Sequence, residues 1–128
     1  MLGSRIVPRR VEKPWGHEEI WAETDRYLGK ILSIRKGRRL SLQLHRQKDE
    51  SIYVLRGRLR LTLENAAGEL EISELDPGQA RRVLPGRRHR FEAIEDTDLV
   101  EVSTPEIDDV VRLADDYGRD REPGRGDR

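Results

Sequence analysis

Residues 37–57 read Gly37-Arg38-Arg39-Leu40-Ser41-Leu42-Gln43-Leu44-His45-Arg46-Gln47-Lys48-Asp49-Glu50-Ser51-Ile52-Tyr53-Val54-Leu55-Arg56-Gly57. From Leu40 to His45, apolar and polar residues alternate. A period of two is that of a strand with one buried face. Gln43 and His45 therefore share one face, and Leu42 and Leu44 the other. Ile52 to Leu55 is a short apolar run, read as a buried strand that Gly57 closes. Between the two, a tight bend lets Glu50 return a carboxylate to the face that carries Gln43 and His45.

The same alternation extends in both directions. Leu28, Lys30, Leu32 and Ile34 share one strand face; Leu59, Leu61 and Leu63 share another. Asn65 to Gly68 reads as a hairpin turn, and Asp76-Pro77-Gly78 as another turn. Arg82 to Leu84, His89 to Ile94 and Leu99 to Val102 supply further strands. About eight or nine short strands with turns between them predict an all-β sandwich or barrel. Pro14-Trp15-Gly16 is a rigid turn, with Trp15 and Trp21 as packing residues.

A different pattern follows Ser103. Ile107, Val110, Val111 and Ala114 fall at helical spacing, with Thr104 as N-cap, Pro105 behind it and Gly118 as the stop. One short C-terminal helix is expected over residues 105–117. The organisation expected is an arm over residues 1–13, one domain over 14–118, and a disordered tail over 119–128, which has nothing apolar to bury.

The chain's 128 residues allow one core. Twenty-five basic side chains balance 25 acidic ones, so the basic surplus of a general nucleic-acid binder is missing. No cysteine is present, which excludes disulfides, thiolate metal sites and a cysteine nucleophile. No apolar run is long enough to span a bilayer, and no apolar h-region follows the basic first residues. The expectation is a soluble cytoplasmic domain that binds neither nucleic acid nor membrane.

Three histidines occur: His17, His45 and His89. His17 reads as a surface residue beside the Pro14-Trp15-Gly16 turn. His89 lies on a later strand with Phe91 and Ala93 on its face. Gln43, His45, Glu50 and His89 together offer one amide oxygen, two imidazoles and a carboxylate. That set suits a divalent ion of borderline hardness.

The spacing of these residues resembles the two motifs of the cupin superfamily. Gly37-x5-Gln43-x-His45-x4-Glu50-x6-Gly57 is similar to the first, with Gln where histidine is commonest. Gly78-x5-Leu84-Pro85-Gly86-x2-His89-x3-Ala93 is similar to the second, with Leu84 and Ala93 replacing the usual Pro and Asn. The likeness narrows to the cupin domain of type II mannose-6-phosphate isomerases. It is carried by Pro14-Trp15-Gly16, Tyr27, Lys30, the run Gly37 to His45, Asp108-Asp109-Val110-Val111-Arg112 and Asp115 to Arg119. Where that family often has a His-rich run after Gln-x-His, this chain has Arg46-Gln47-Lys48.

The resemblance implies a small antiparallel cupin β-barrel, or jelly roll, with one metal ion per chain. Zinc is the first choice, and manganese, iron, cobalt and nickel are alternatives. It implies aldose–ketose isomerisation of a sugar phosphate, in which a Lewis acid polarises the sugar oxygens and a base moves a proton between C1 and C2. Lys30 and Arg112 are the catalytic candidates, while Arg39 and Arg90 are candidate phosphate clamps. The base is unassigned. An oxygenase or other metal-dependent cupin enzyme, and a non-catalytic sugar-binding module, use the same ligand set and stand as alternatives. A homodimer is expected, with the arm at its interface.

Overall fold

Alternating sequences bury one side of each strand, and here those sides face one another across two sheets. The computed structural model describes residues 3–121. One sheet has six strands: β1 (Arg9–Lys13), β2 (Gly16–Glu23), β3 (Leu28–Ile34), β10 (Thr97–Ser103), β5 (Glu50–Arg56) and β8 (Ala80–Val83), in that order across the sheet. The other has five: β11 (Val111–Ala114), β4 (Leu42–Leu44), β9 (His89–Ala93), β6 (Leu59–Glu64) and β7 (Leu70–Leu75). Every pairing is antiparallel, as in a jelly roll.

Leu32, Ile34, Ile52 and Val54 from the first sheet meet Leu59, Leu61, Leu75 and Phe91 from the second. Trp15 joins this core almost completely buried, as expected of it. Trp21 instead lies partly exposed on the outer face, where its ring occupies the space a side chain on Gly29 would need. Gly57 closes β5 as the sequence suggests. Its φ is +92°, and a Cβ there would collide with the Asp96 carbonyl.

The expected C-terminal helix over residues 105–117 does not form. Val111–Ala114 pairs with β4 as strand β11, and residues 104–110 run as a strap of turns. The physical reason lies in the acidic residues assigned to a helix N-terminus. Asp109 spends its carboxylate on backbone N–H groups of residues 46–48, and Thr104 spends its hydroxyl on Asp49 N–H. Side chains of this kind draw the backbone out of helix when such amides are within reach.

The arm is also partly structured. Arg9–Lys13 pairs with β2 as the edge strand of the larger sheet. At the other end Arg119–Arg121 makes one 3-10 turn, and the rest of the expected disordered tail lies outside the described residues.

Candidate metal centre

Register brings the chemistry-bearing residues to one end of the space between the sheets. On the five-stranded sheet, Arg112, Gln43 and His89 stand side by side across β11, β4 and β9. On the six-stranded sheet Glu50 opens β5, opposite Ser103 of β10. His45 follows β4 directly, so Gln43 and His45 both line the cavity, as their alternation predicts. His45, Glu50 and His89 are all buried.

Their ring nitrogens are oriented from behind. His45 Nδ1 lies 2.5 Å from the Asp109 carbonyl, and His89 Nδ1 lies 3.0 Å from the Arg87 carbonyl. A carbonyl only accepts, so each Nδ1 carries a hydrogen and each Nε2 is turned toward the ligand cluster. Both Nε2 atoms face the same oxygen. His45 Nε2 is 2.8 Å from Glu50 Oε1, and His89 Nε2 is 3.3 Å from it. His89 Nε2 is a buried atom for which that approach has no hydrogen-bond geometry. Burial alone would raise the Glu50 carboxyl. The two imidazoles and Lys48, 3.9 Å away, bring it well below the ordinary range, so it is a carboxylate.

Two ring nitrogens and a carboxylate oxygen thus converge on one point, and a divalent cation can replace the proton between them. Their candidate ligand atoms all lie within 4.8 Å of one another. The N–O separations are close to the edges between ligands about 2.0–2.2 Å from one ion. The residues therefore fit a divalent metal. Gln43, the fourth candidate, lines the same cavity, and its Oε1 accepts a bond from Ser41 Oγ at 2.7 Å.

The other candidates divide. Lys30 lines the cavity, with Nζ 3.3 Å from Glu18 Oε2. Arg112 faces the same side from β11. Burial, with Arg119 close by, pushes it down to about 10. Arg39 and Arg90 are occupied outside the cavity lining. Arg39 makes a two-bond pair with Asp116 at 2.7 and 2.9 Å, and Arg90 donates to the carbonyls of Leu40 and Ala114. Both hold the C-terminal segment against the sheet. His17 points outward from β2, alongside Ser33 and Asp98.

Sequence reasoning missed four charged cavity residues: Lys13, Glu18, Lys48 and Glu101. Lys13 lies 4.0 Å from Glu18, which also holds Lys30. Lys48 pairs with Glu101 at 2.9 Å, and Glu101 stands opposite Lys30 across β10 and β3. Burial disfavours charge on Lys48, but Glu101 and Glu50 raise it above its ordinary value. Burial pushes the Glu101 carboxyl up, and Glu50 adds to that shift. The available signal was a carboxylate in a row of inward apolar residues: Glu18 alternates with Ile20 and Ala22.

Residues 4–115 match the family described as "Mannose-6-phosphate isomerase C-terminal". The chain belongs to that family. Among the relatives of this chain is the mannose-1-phosphate guanylyltransferase of Escherichia coli (strain K12). It is 34% identical over 118 residues, which cover 88% of this chain and 24% of that protein. The Xanthan biosynthesis protein XanB of Xanthomonas campestris pv. campestris (strain ATCC 33913) is 32% identical over 116 residues, covering 87% of this chain and 24% of XanB. The family member described here thus spans about a quarter of the length of these relatives.

Solved structures show the same cupin fold. KdgF from Halomonas sp. superposes with a TM-score of 0.68 at 22% identity, covering 76% of this chain and 87% of that one. Oxalate decarboxylase from Bacillus subtilis gives 0.72 at 18% identity, covering 84% of this chain and 30% of that one. Another structure of the B. subtilis enzyme is described as having Mn(II) centres. Among the described residues, no helix is long and apolar enough to cross a membrane.

Proposed function

We propose that this domain is a metal-dependent isomerase that interconverts a phosphorylated aldose and ketose. The observation that carries the reading is the trio His45, Glu50 and His89, whose ligand atoms lie within 4.8 Å of one another, with His45 and Glu50 lining a cavity that Lys13, Lys30 and Lys48 also line. Gln43 Oε1 is the fourth ligand. Zinc is the first choice of ion, and manganese is the second. A divalent ion held there supplies a Lewis acid for adjacent oxygens of an open-chain sugar.

The remaining roles belong to the chain. Arg112 holds the phosphate, because its guanidinium fork matches phosphate oxygens. Lys30, fixed by Glu18, positions the sugar. Lys13 is the proton-transfer group. It faces the cavity, and burial pushes it down to about 8, against Glu18, with Lys30, Arg119 and Arg112 adding to the fall. A lysine in that range exchanges protons near neutral pH. It takes the proton from C2 of the aldose and delivers it to C1, which becomes the CH2 of the ketose, while the hydroxyl proton on O2 passes to O1.

The cavity's volume is ≈ 50 Å³, room for a few waters. Ligand pockets ordinarily measure at least about 300 Å³, so we take the strap, whose Ile107 and Val110 line the cavity, as the part that moves to admit a sugar phosphate.

A coupled assay on metal-loaded protein, with mannose 6-phosphate and fructose 6-phosphate as the first pair, tests the reading. Turnover above the metal-free control supports it. Arg112→Ala should then raise KM strongly for the phosphorylated sugar and much less for an unphosphorylated analogue. No turnover of any hexose or pentose phosphate ends the isomerase reading; binding without turnover would make the domain a sugar-phosphate-binding module, and oxygen uptake would make it an oxygenase.

The proposed protein partner is a second copy of the chain. The outer face of the six-stranded sheet exposes Trp21, Tyr53, Leu55 and Val102, an apolar surface of the kind that copies cover. Sedimentation equilibrium of wild type against Val102→Lys tests this, and a monomeric wild type would end it.

A further inference from the structure

The strap over residues 104–110 contributes Ile107 and Val110 to the cavity wall. Its attachment is concentrated in Asp109. The Asp109 carboxylate accepts backbone N–H bonds from Arg46 at 3.0 Å, Gln47 at 2.7 Å and Lys48 at 2.9 Å. Those three residues belong to the bend that joins His45 to Glu50, two of the three convergent donors. The Asp109 backbone carbonyl is the group that faces His45 Nδ1. A second tie lies at the strap's start. Thr104 N–H donates to the Asp49 carbonyl at 3.0 Å, and Asp49 N–H donates to Thr104 Oγ1 at 2.9 Å.

The geometry points to Asp109 as the positioning residue of the metal centre, joining the strap that roofs the cavity to the ligands beneath it. This rests on the metal reading above and adds to it a residue and a coupling. The carboxylate gathers three amides and so fixes the bend that sets His45 and Glu50 relative to each other. The carbonyl fixes the His45 ring with Nε2 toward Glu50. Partners that orient a ligand from behind in this way commonly contribute 10–100-fold to metal affinity.

The coupling follows from the same atoms. A molecule larger than a few waters enters only when the strap rises, and a rising strap withdraws the Asp109 carbonyl from His45. The ion is therefore held most tightly with the strap down, and by linkage the ion favours the closed strap.

The test is Co²⁺ affinity, measured by competition with a chromophoric chelator, in wild type, Asp109→Ala and Asp109→Asn. The expected result is a Kd weakened about 10–100-fold in Asp109→Ala, with a changed Co²⁺ absorption band because His45 is no longer held. Asp109→Asn, nearly isosteric, keeps one acceptor oxygen and should fall between; it carries the measurement if the alanine variant does not fold. Limited proteolysis adds a second readout: Co²⁺ should protect the strap in wild type and not in Asp109→Ala. A merely structural role lowers stability with and without the ion alike, leaving Kd and absorption band unchanged. That result in a folded variant overturns this inference alone. A wild-type protein that binds no Co²⁺ overturns the metal reading, and the inference with it.

Discussion

The two ends of the cavity handle buried charge in opposite ways. At one end, His45, Glu50 and His89 bring two ring nitrogens and a carboxylate together, with 2.8 and 3.3 Å between facing atoms. At the other, ammonium and carboxylate alternate: Lys13 beside Glu18, Glu18 beside Lys30, and Glu101 across from Lys30 and beside Lys48. The second arrangement largely neutralises itself, because each charge has an opposite neighbour that offsets part of its desolvation. In the first, Lys48 lies 3.9 Å from Glu50, yet two ring nitrogens still converge on one carboxylate oxygen, a set that a divalent ion fits.

The sharpest way to break this contrast is Glu50→Gln. Gln keeps the shape but not the charge that the two imidazoles and Lys48 stabilise. Metal-free Glu50→Gln should be less stable than metal-free wild type, by about 3 kcal/mol, because buried Lys48 and the two rings lose that carboxylate. The same variant, like His45→Ala and His89→Ala, should fail to hold a full equivalent of metal. Wild type saturated at a thousand times Kd should gain about 4 kcal/mol from the ion, and the variants none of it. Thermal melts with and without Zn²⁺, beside metal analysis, read both effects. Metal-free Glu50→Gln melting above metal-free wild type would show that the buried carboxylate is a burden which only an ion relieves.

At the alternating end, removal of one member should be costly because it strands others. Glu18 serves both Lys13 and Lys30, whose side chains are 3% and 8% exposed. Glu18→Gln leaves two buried ammonium groups without that carboxylate, a loss of about 3 kcal/mol. Metal affinity should change little, since Glu18 touches none of the three donors. A denaturant titration checks the first statement and the chelator competition the second. A large loss of metal affinity would mean that the two ends act as one unit.

The two ends also differed in how far the sequence disclosed them. Gln43, His45 and Glu50 fall within one strand and one bend, so alternation set the first two on a common face and the bend returned the third to it. His89 came from its similar place in a second motif. Glu18, Lys48 and Glu101 meet only because β2, β3 and β10 pair across distant parts of the chain. In a sequence with 39% charged residues, nothing marked these as buried except their alternation with apolar neighbours. Lys13 was assigned to the arm because the strand that carries it contains hardly any apolar residue. The strap misled for a different reason. Its apolar residues fit a helical stripe, but Asp109 found three backbone amides at the 46–48 bend, a long-range pairing that no local pattern encodes. Arg39 and Arg90 suited a phosphate by type, yet Asp116 and two backbone carbonyls claimed them.

Lys13 gives the smallest expected effect and the one that separates stability from function. Burial pushes it from the ordinary 10.5 down to about 8; Glu18 opposes that shift, while Lys30, Arg119 and Arg112 reinforce it. A lysine with a folded value below its unfolded value burdens the native state. The burden is full below pH 8, where both states hold the proton. It fades as pH rises from about 8 to 10.5, where the unfolded chain holds more protons than the native one, so this group makes stability increase with pH. Lys13→Met removes the burden and also takes one partner from Glu18, which keeps Lys30. The net gain expected at pH 7 is about 1 kcal/mol, shrinking toward pH 10.5. Denaturant titrations of both proteins at pH 7, 9 and 10.5 measure it. If Lys13 is the proton-transfer group, the stabilised variant should also lose kcat while keeping its metal, and wild-type kcat should titrate with a group near pH 8 that the variant lacks. A Lys13→Met protein less stable than wild type at pH 7 would mean that the ammonium is bound more favourably than its burial implies. Full activity in that variant would move the proton transfer to another residue of the cavity.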